Sequence, residues 1–124
     1  MFASVCWSKD VSMDDLVERE GLYYEKFKGD PFTGKVTGQK QGKISKGKKE
    51  GEWIWYYENG QLSSKSNYKD GKEDGEYLTY YENGQLKNKS NYKDGELDGE
   101  VLLYFENGQL QLKSNYKDGK YMKP

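Results

Sequence analysis

Apolar and polar positions alternate in short bursts along this chain. Glu52-Trp53-Ile54-Trp55-Tyr56-Tyr57 is a run of strand formers, Glu58-Asn59-Gly60 has the composition of a tight turn, and Leu62 to Tyr68 alternates. That order predicts a β-hairpin, with Asn59-Gly60 supplying residues that accept positive φ and Lys69-Asp70-Gly71 making the reverse connection. The same text then returns. Glu-Asn-Gly-Gln-Leu occupies 58–62, 82–86 and 106–110, Asn-Tyr-Lys-Asp-Gly occupies 67–71, 91–95 and 115–119, and Gly-Glu occupies 51–52, 75–76 and 99–100, always 24 residues apart. Upstream, Gly47 to Glu52 matches Gly71 to Glu76, so 34–49 reads as a shortened, degenerate leading copy. After Gly21 no segment sustains a helical period without a glycine breaking it.

The predicted fold is therefore all-β: an elongated antiparallel meander of stacked hairpins in one domain over 21–124. A lead-in segment and the degenerate first copy fill 21–50, and full copies fill 51–74, 75–98 and 99–124. One hairpin buries too little to stand alone, so at least three copies are expected to stack. Ahead of them, Ser12 before Met13-Asp14-Asp15, with Val11 and Leu16 as a staple pair, has the signature of a helix start, and Gly21 would end it. A short capping helix over 9–20 is the expectation. Residues 1–8 are apolar and small and read as the remnant of a secretory signal peptide, with Cys6 and Ser8 at its cleavage positions. That implies a periplasmic or secreted protein; a frayed cytosolic N-terminus is the alternative.

Faces follow from the turn. A three-residue turn with Gly60 left-handed sets Tyr56 opposite Leu62 and puts Ile54, Tyr56, Leu62, Ser66 and Tyr68 on one buried face. A two-residue turn would pair Tyr57 with Leu62 and swap the faces, and the sequence leaves both open. In the first register the opposite face carries Trp53, Trp55, Tyr57, Tyr77, Tyr81, Leu103 and Phe105, which form a candidate binding surface. Packing of these rings on one another and on lysine stems is the plainer reading.

Composition narrows the chemistry. Of 124 residues, 33% are hydrophobic, 33% charged and 15% aromatic, with no His and one Cys, which excludes Ser-His-Asp and Cys-His catalysis, Cys/His zinc sites and an internal disulfide. A net charge of −1 steers nothing globally. Lys35, Lys40, Lys43, Lys46, Lys48 and Lys49 fall in an acid-free stretch and are candidate contacts to an anionic lipid surface. A single Arg in the chain argues against nucleic acid. Asp94, Glu96 and Asp98 have the spacing that opens a calcium loop, but Phe105 stands where its closing Glu belongs. No enzyme activity, metal or cofactor is expected, and no stretch approaches the ~20 apolar residues of a membrane-spanning helix.

The string Gly-Glu-x-x-x-Tyr-Tyr-Glu-Asn-Gly-Gln-Leu, followed by Lys-x-Asn-Tyr-Lys-Asp-Gly, resembles the bacterial variant of the MORN repeat (membrane occupation and recognition nexus). The resemblance covers roughly 21–123, with Ser66, Ser90 and Ser114 standing where that family often has Gly. It implies a twisted sheet of hairpins that serves as an interaction module without catalytic residues. Many bacterial chains of this kind are described as antitoxins of the YwqK type. The leading expectation is a protein partner, of antitoxin or immunity type; an anionic-phospholipid or cell-envelope surface is the alternative, and carbohydrate the third reading.

Overall fold

A computed structural model describes residues 10–124, so the expectations for residues 1–8 lie outside it. In chain order the strands are β1 (Asp10–Val11), β2 (Leu16–Arg19), β3 (Leu22–Glu25), β4 (Gly34–Val36), β5 (Lys40–Ser45), β6 (Lys48–Tyr56) and β7 (Leu62–Lys69). There follow β8 (Lys72–Glu73), β9 (Gly75–Tyr80), β10 (Leu86–Lys93), β11 (Glu96–Leu97), β12 (Gly99–Tyr104), β13 (Leu110–Lys117) and β14 (Lys120–Met122). From β4 onward they form one antiparallel meander; β8 and β11 pair with β7 and β10, and β1 adds in parallel to β4. The predicted all-β stack of hairpins is the observed one. Strands β2 and β3 form a separate hairpin.

The capping helix is corrected. Ser12 does cap, accepting from the Asp14 amide at 3.2 Å while Asp15 accepts from the Ser12 amide at 3.0 Å, but only a single 3-10 turn over Met13–Asp15 follows. Leu16 then enters β2, whose register sets Val17 opposite Tyr24 and Arg19 opposite Leu22. Gly21 does not end a helix. Glu20 and Gly21, at φ +50° and +81°, are the two central residues of a tight hairpin turn, the geometry that recurs at Lys46-Gly47 and Asp70-Gly71. The hairpin motif thus begins one unit earlier than the degenerate copy at 34–49.

The turn itself is the three-residue form. Gly60 lies at φ +87°, its amide donates to Tyr57 O at 3.0 Å, the Tyr57 amide donates to Gln61 O at 2.8 Å, and Tyr56 pairs with Leu62. The face assignment is nevertheless corrected, because a second irregularity follows at once. Ser63 is an extra residue on β7, so Trp55 pairs with Ser64, Trp53 with Ser66 and Gly51 with Tyr68. Past this bulge the alternation on β7 is reversed relative to β6. Lys87 and Gln111 are the extra residues of the next two copies. One face, termed the outer face, therefore carries Glu52, Ile54, Tyr56, Leu62, Lys65 and Asn67; the other, the core face, carries Trp53, Trp55, Ser64, Ser66 and Tyr68.

The core sits at the N-terminal end of the core face. Val11, Leu16, Phe32, Val36, Ile44 and Trp53 are buried together, with Met13, Tyr23 and Tyr68 packed around them, so the β2–β3 hairpin contributes the cover. Trp53 is only 5% exposed. Its indole lies against Gly42 so closely that a Cβ there would come within 2.2 Å of the ring, and its Nε1 donates to Lys43 O at 3.1 Å. Backbone amides tie each reverse turn to the copy before it: Gly71 to Lys49 O at 3.0 Å, Gly95 to Glu73 O at 2.8 Å and Gly119 to Leu97 O at 2.8 Å. At the opposite end of the strands the Tyr57 hydroxyl donates to Tyr80 O at 2.6 Å and the Tyr81 hydroxyl to Tyr104 O at 2.7 Å.

Candidate functional site

Strand alternation distributes the aromatic candidates unequally. Trp53 belongs to the core and is removed from the candidate surface. Trp55, two residues on and on the same face, is 46% exposed, as is Phe105. Tyr57 and Tyr81 are half-buried and spend their hydroxyls on the neighbouring hairpin. Tyr77 meets Tyr92 edge-on at 5.8 Å between ring centroids. Leu103 lies in a row across the sheet that runs Trp55, Ser64, Thr79, Asn88, Leu103, Leu112. Within the long strands, most positions that differ between copies lie on this face: Trp53, Tyr77 and Val101; Trp55, Thr79 and Leu103; Ser64, Asn88 and Leu112. The outer face repeats Glu52, Tyr56, Leu62, Lys65 and Asn67 unchanged.

The lysines do not form one patch. Lys40 pairs with Trp55 and Lys49 with Ile44, which places both on the core face, whereas Lys35 and Lys43 pair with each other and Lys48 pairs with Ser45 on the outer side. Lys46 is in a turn.

Lys40 and Lys49 instead flank a cleft of about 160 Å³ that opens where the buried core stops. Trp53, Trp55, Tyr68 and Tyr77 supply its aromatic walls, and Ser64, Ser66 and Glu73 its other polar groups. The Lys40 ammonium stands 4.3 Å from the Trp55 ring centroid, and Lys49 stands 4.9 Å from Trp53 and 5.0 Å from Tyr68. Burial lowers the Lys49 pKa, and the nearby charge of Lys40 adds to that, against the pull of Glu18 and Glu73. Burial raises the carboxyl of Glu73, with Lys49 pulling it back. The phenols of Tyr68 and Tyr77 are raised by burial first and by Glu73 second.

Sequence reasoning missed Glu73 and Ser64. Glu73 reads as one of many turn acids, yet it occupies a repeat position held by Lys49, Glu73, Leu97 and Tyr121 in successive copies. That departure from the period was the available signal. Register then sets Glu73 directly opposite Tyr68.

An open antiparallel sheet built from a 24-residue hairpin, capped by a folded-back hairpin at one end, defines a β-hairpin repeat protein. Compared with known protein families, residues 49–70, 73–94 and 97–118 match the MORN repeat variant. These matches span more than half of the chain, which belongs to the MORN repeat variant family. A search of curated proteins found no match.

Proposed function

We infer that the chain is a binding module whose core face, beyond the covering hairpin, docks a protein partner. The observation that carries this reading is the exposed apolar area along that face, with Trp55 at 46% beside the cleft and Phe105 at 46% and Leu112 at 53% further along the sheet in the third copy. Rigid aromatics on an open, preformed surface lose little entropy on binding and are the usual anchors of interfaces. The residues in which the copies differ also gather there, so the face offers a distinct, non-repeating shape to a partner. In its finer form the partner is a toxin that the module neutralises, as the likeness to antitoxin chains suggests.

A membrane surface is supported less, since a flat anionic surface would meet only one of the two lysine sets. A sugar platform is supported less too, because Lys40 already stands over the Trp55 ring. The experiment is affinity capture with the full chain and two variants, Trp55→Ala on the core face and Tyr80→Ala on the outer face. A stoichiometric protein retained by Tyr80→Ala and lost with Trp55→Ala is the expected result. Retention by Trp55→Ala, or no stoichiometric protein at all, contradicts the reading.

A further inference from the structure

Lys40 and Lys49 differ from the repeated lysines of the outer face in one respect. On the outer face Lys65, Lys89 and Lys113 each pair with a glutamate of the neighbouring strand, at 3.3, 3.7 and 3.1 Å from Glu52, Glu76 and Glu100. Neither Lys40 nor Lys49 has such an ion pair among the described residues, and each rests on an indole or phenol ring. The rings hold the two ammonium groups at fixed points on the rim of the cleft without neutralising them. Lys49 is partly out of water and feels the charge of the exposed Lys40, a cost that an arriving anion removes.

The cleft's size sets the scale of that anion. About 160 Å³ is less than the usual ~300–1,000 Å³ of a pocket for a drug-sized ligand, but it suits the end of one side chain. Trp55 and Tyr77 flank it with apolar surface for a methylene stem, and Ser64 adds a hydroxyl that can donate. We propose that this cleft is a subsite for a carboxylate side chain carried by an acidic segment of the docked protein, with Lys40 and Lys49 as its charge partners. The proposal rests on the docking of a protein at the core face. Glu73 is the opposing group: it lines the same cleft and competes with an incoming carboxylate for Lys49. Removing its charge therefore strengthens binding of an acid, whereas a ligand recognised through hydroxyl groups would lose an acceptor.

The test is titration of the full chain with an acetylated, amidated peptide containing three consecutive glutamates, against the same peptide with glutamines. Tryptophan fluorescence and calorimetry supply the readouts. Lys40→Met and Lys49→Met keep the apolar stems on the rings while deleting the charge, and thermal melts confirm folding. Expected are preference for the glutamate peptide, weakening by added salt, loss of about tenfold or more in affinity for each lysine variant, and tighter binding by Glu73→Gln. Equal binding of the two peptides, no binding of either, indifference to both lysine variants, or weakening by Glu73→Gln would each overturn the subsite. These results separate from those of the capture experiment. A partner lost with Trp55→Ala yet unaffected by Lys40→Met and Lys49→Met leaves the docking face standing and removes the subsite. Lysine-dependent binding of the glutamate peptide without any captured protein does the reverse.

Discussion

Trp53 and Trp55 sit two residues apart on one strand face, and their fates are set by what crosses above them. Gly42 on the adjacent strand leaves the indole of Trp53 its space, and Leu16 and Tyr23 from the folded-back hairpin close over the same cluster. Gly42→Ala, whose new methyl would overlap that ring, is expected to cost about 1–3 kcal/mol by the usual penalty of overpacking, read as a lower denaturant midpoint. Ser90 makes the opposite case. It is 4% exposed and its hydroxyl has no hydrogen-bond partner, so its desolvation is uncompensated. Ser90→Ala is expected to leave stability unchanged or raise it, and a loss of more than about 1 kcal/mol in chemical denaturation would show that the hydroxyl is satisfied after all.

The same partial burial sets the alkaline limit. Tyr23, Tyr68, Tyr77 and Tyr92 all have phenols raised above 10.0, burial being the first cause in each. The folded state favours their protonated form, so their contribution is full below pH 10.0 and is lost as pH rises through the folded values. Lys49, lowered from 10.5, works the other way: between its folded value and 10.5 the unfolded chain holds the extra proton, and stability rises with pH. One lysine opposes four phenols. Net stability measured by denaturant titration is expected to fall above pH 10.0, in step with tyrosinate absorbance.

At the scale of the hairpin, the text of each copy spells out its turns and hides its bulges. Asn59-Gly60 and Asp70-Gly71 announce positive φ because glycine pays no Cβ penalty there. The bulge residues Ser63, Lys87 and Gln111 share no such chemistry, and a bulge without glycine leaves no local mark. Yet that single extra residue decides the faces, which is why the fold was legible and the burial of Trp53 was not. The capping helix failed for a related reason. Ser12 and Asp15 do form the local cap, but Leu16 to Arg19 finds a partner in Leu22 to Glu25, and strand pairing overrode a marginal two-turn helix. Between hairpins, the Tyr81 hydroxyl donates to Tyr104 O at 2.7 Å. Tyr81→Phe should cost about 1 kcal/mol, the net worth of one such bond, with secondary structure unchanged in circular dichroism; a neutral result would mean that this tie does not couple neighbouring copies.

Across the whole molecule, burial is graded. The fully buried side chains cluster at the N-terminal end, while Phe105, Leu110, Leu112, Tyr121 and Met122 are exposed in the third copy. In a sheet where each hairpin touches only its neighbours, stability is a sum of local terms, and the end with the core is expected to carry most of it. The sequence made the repeat legible because period is a one-dimensional property. The cleft was not, since Lys40, Lys49, Trp55 and Glu73 come together only through register across β5, β6, β7 and β8.

The core face is closed over Trp53 and open at Trp55. Quenching of tryptophan fluorescence by acrylamide reads that boundary directly, using Trp7→Phe/Trp55→Phe to leave Trp53 alone and Trp7→Phe/Trp53→Phe to leave Trp55 alone, both checked for cooperative folding. The expected result is blue-shifted, poorly quenched emission from Trp53 and red-shifted, strongly quenched emission from Trp55. Equal quenching of the two, or the reverse order, would contradict the assignment of faces and with it the proposed docking surface.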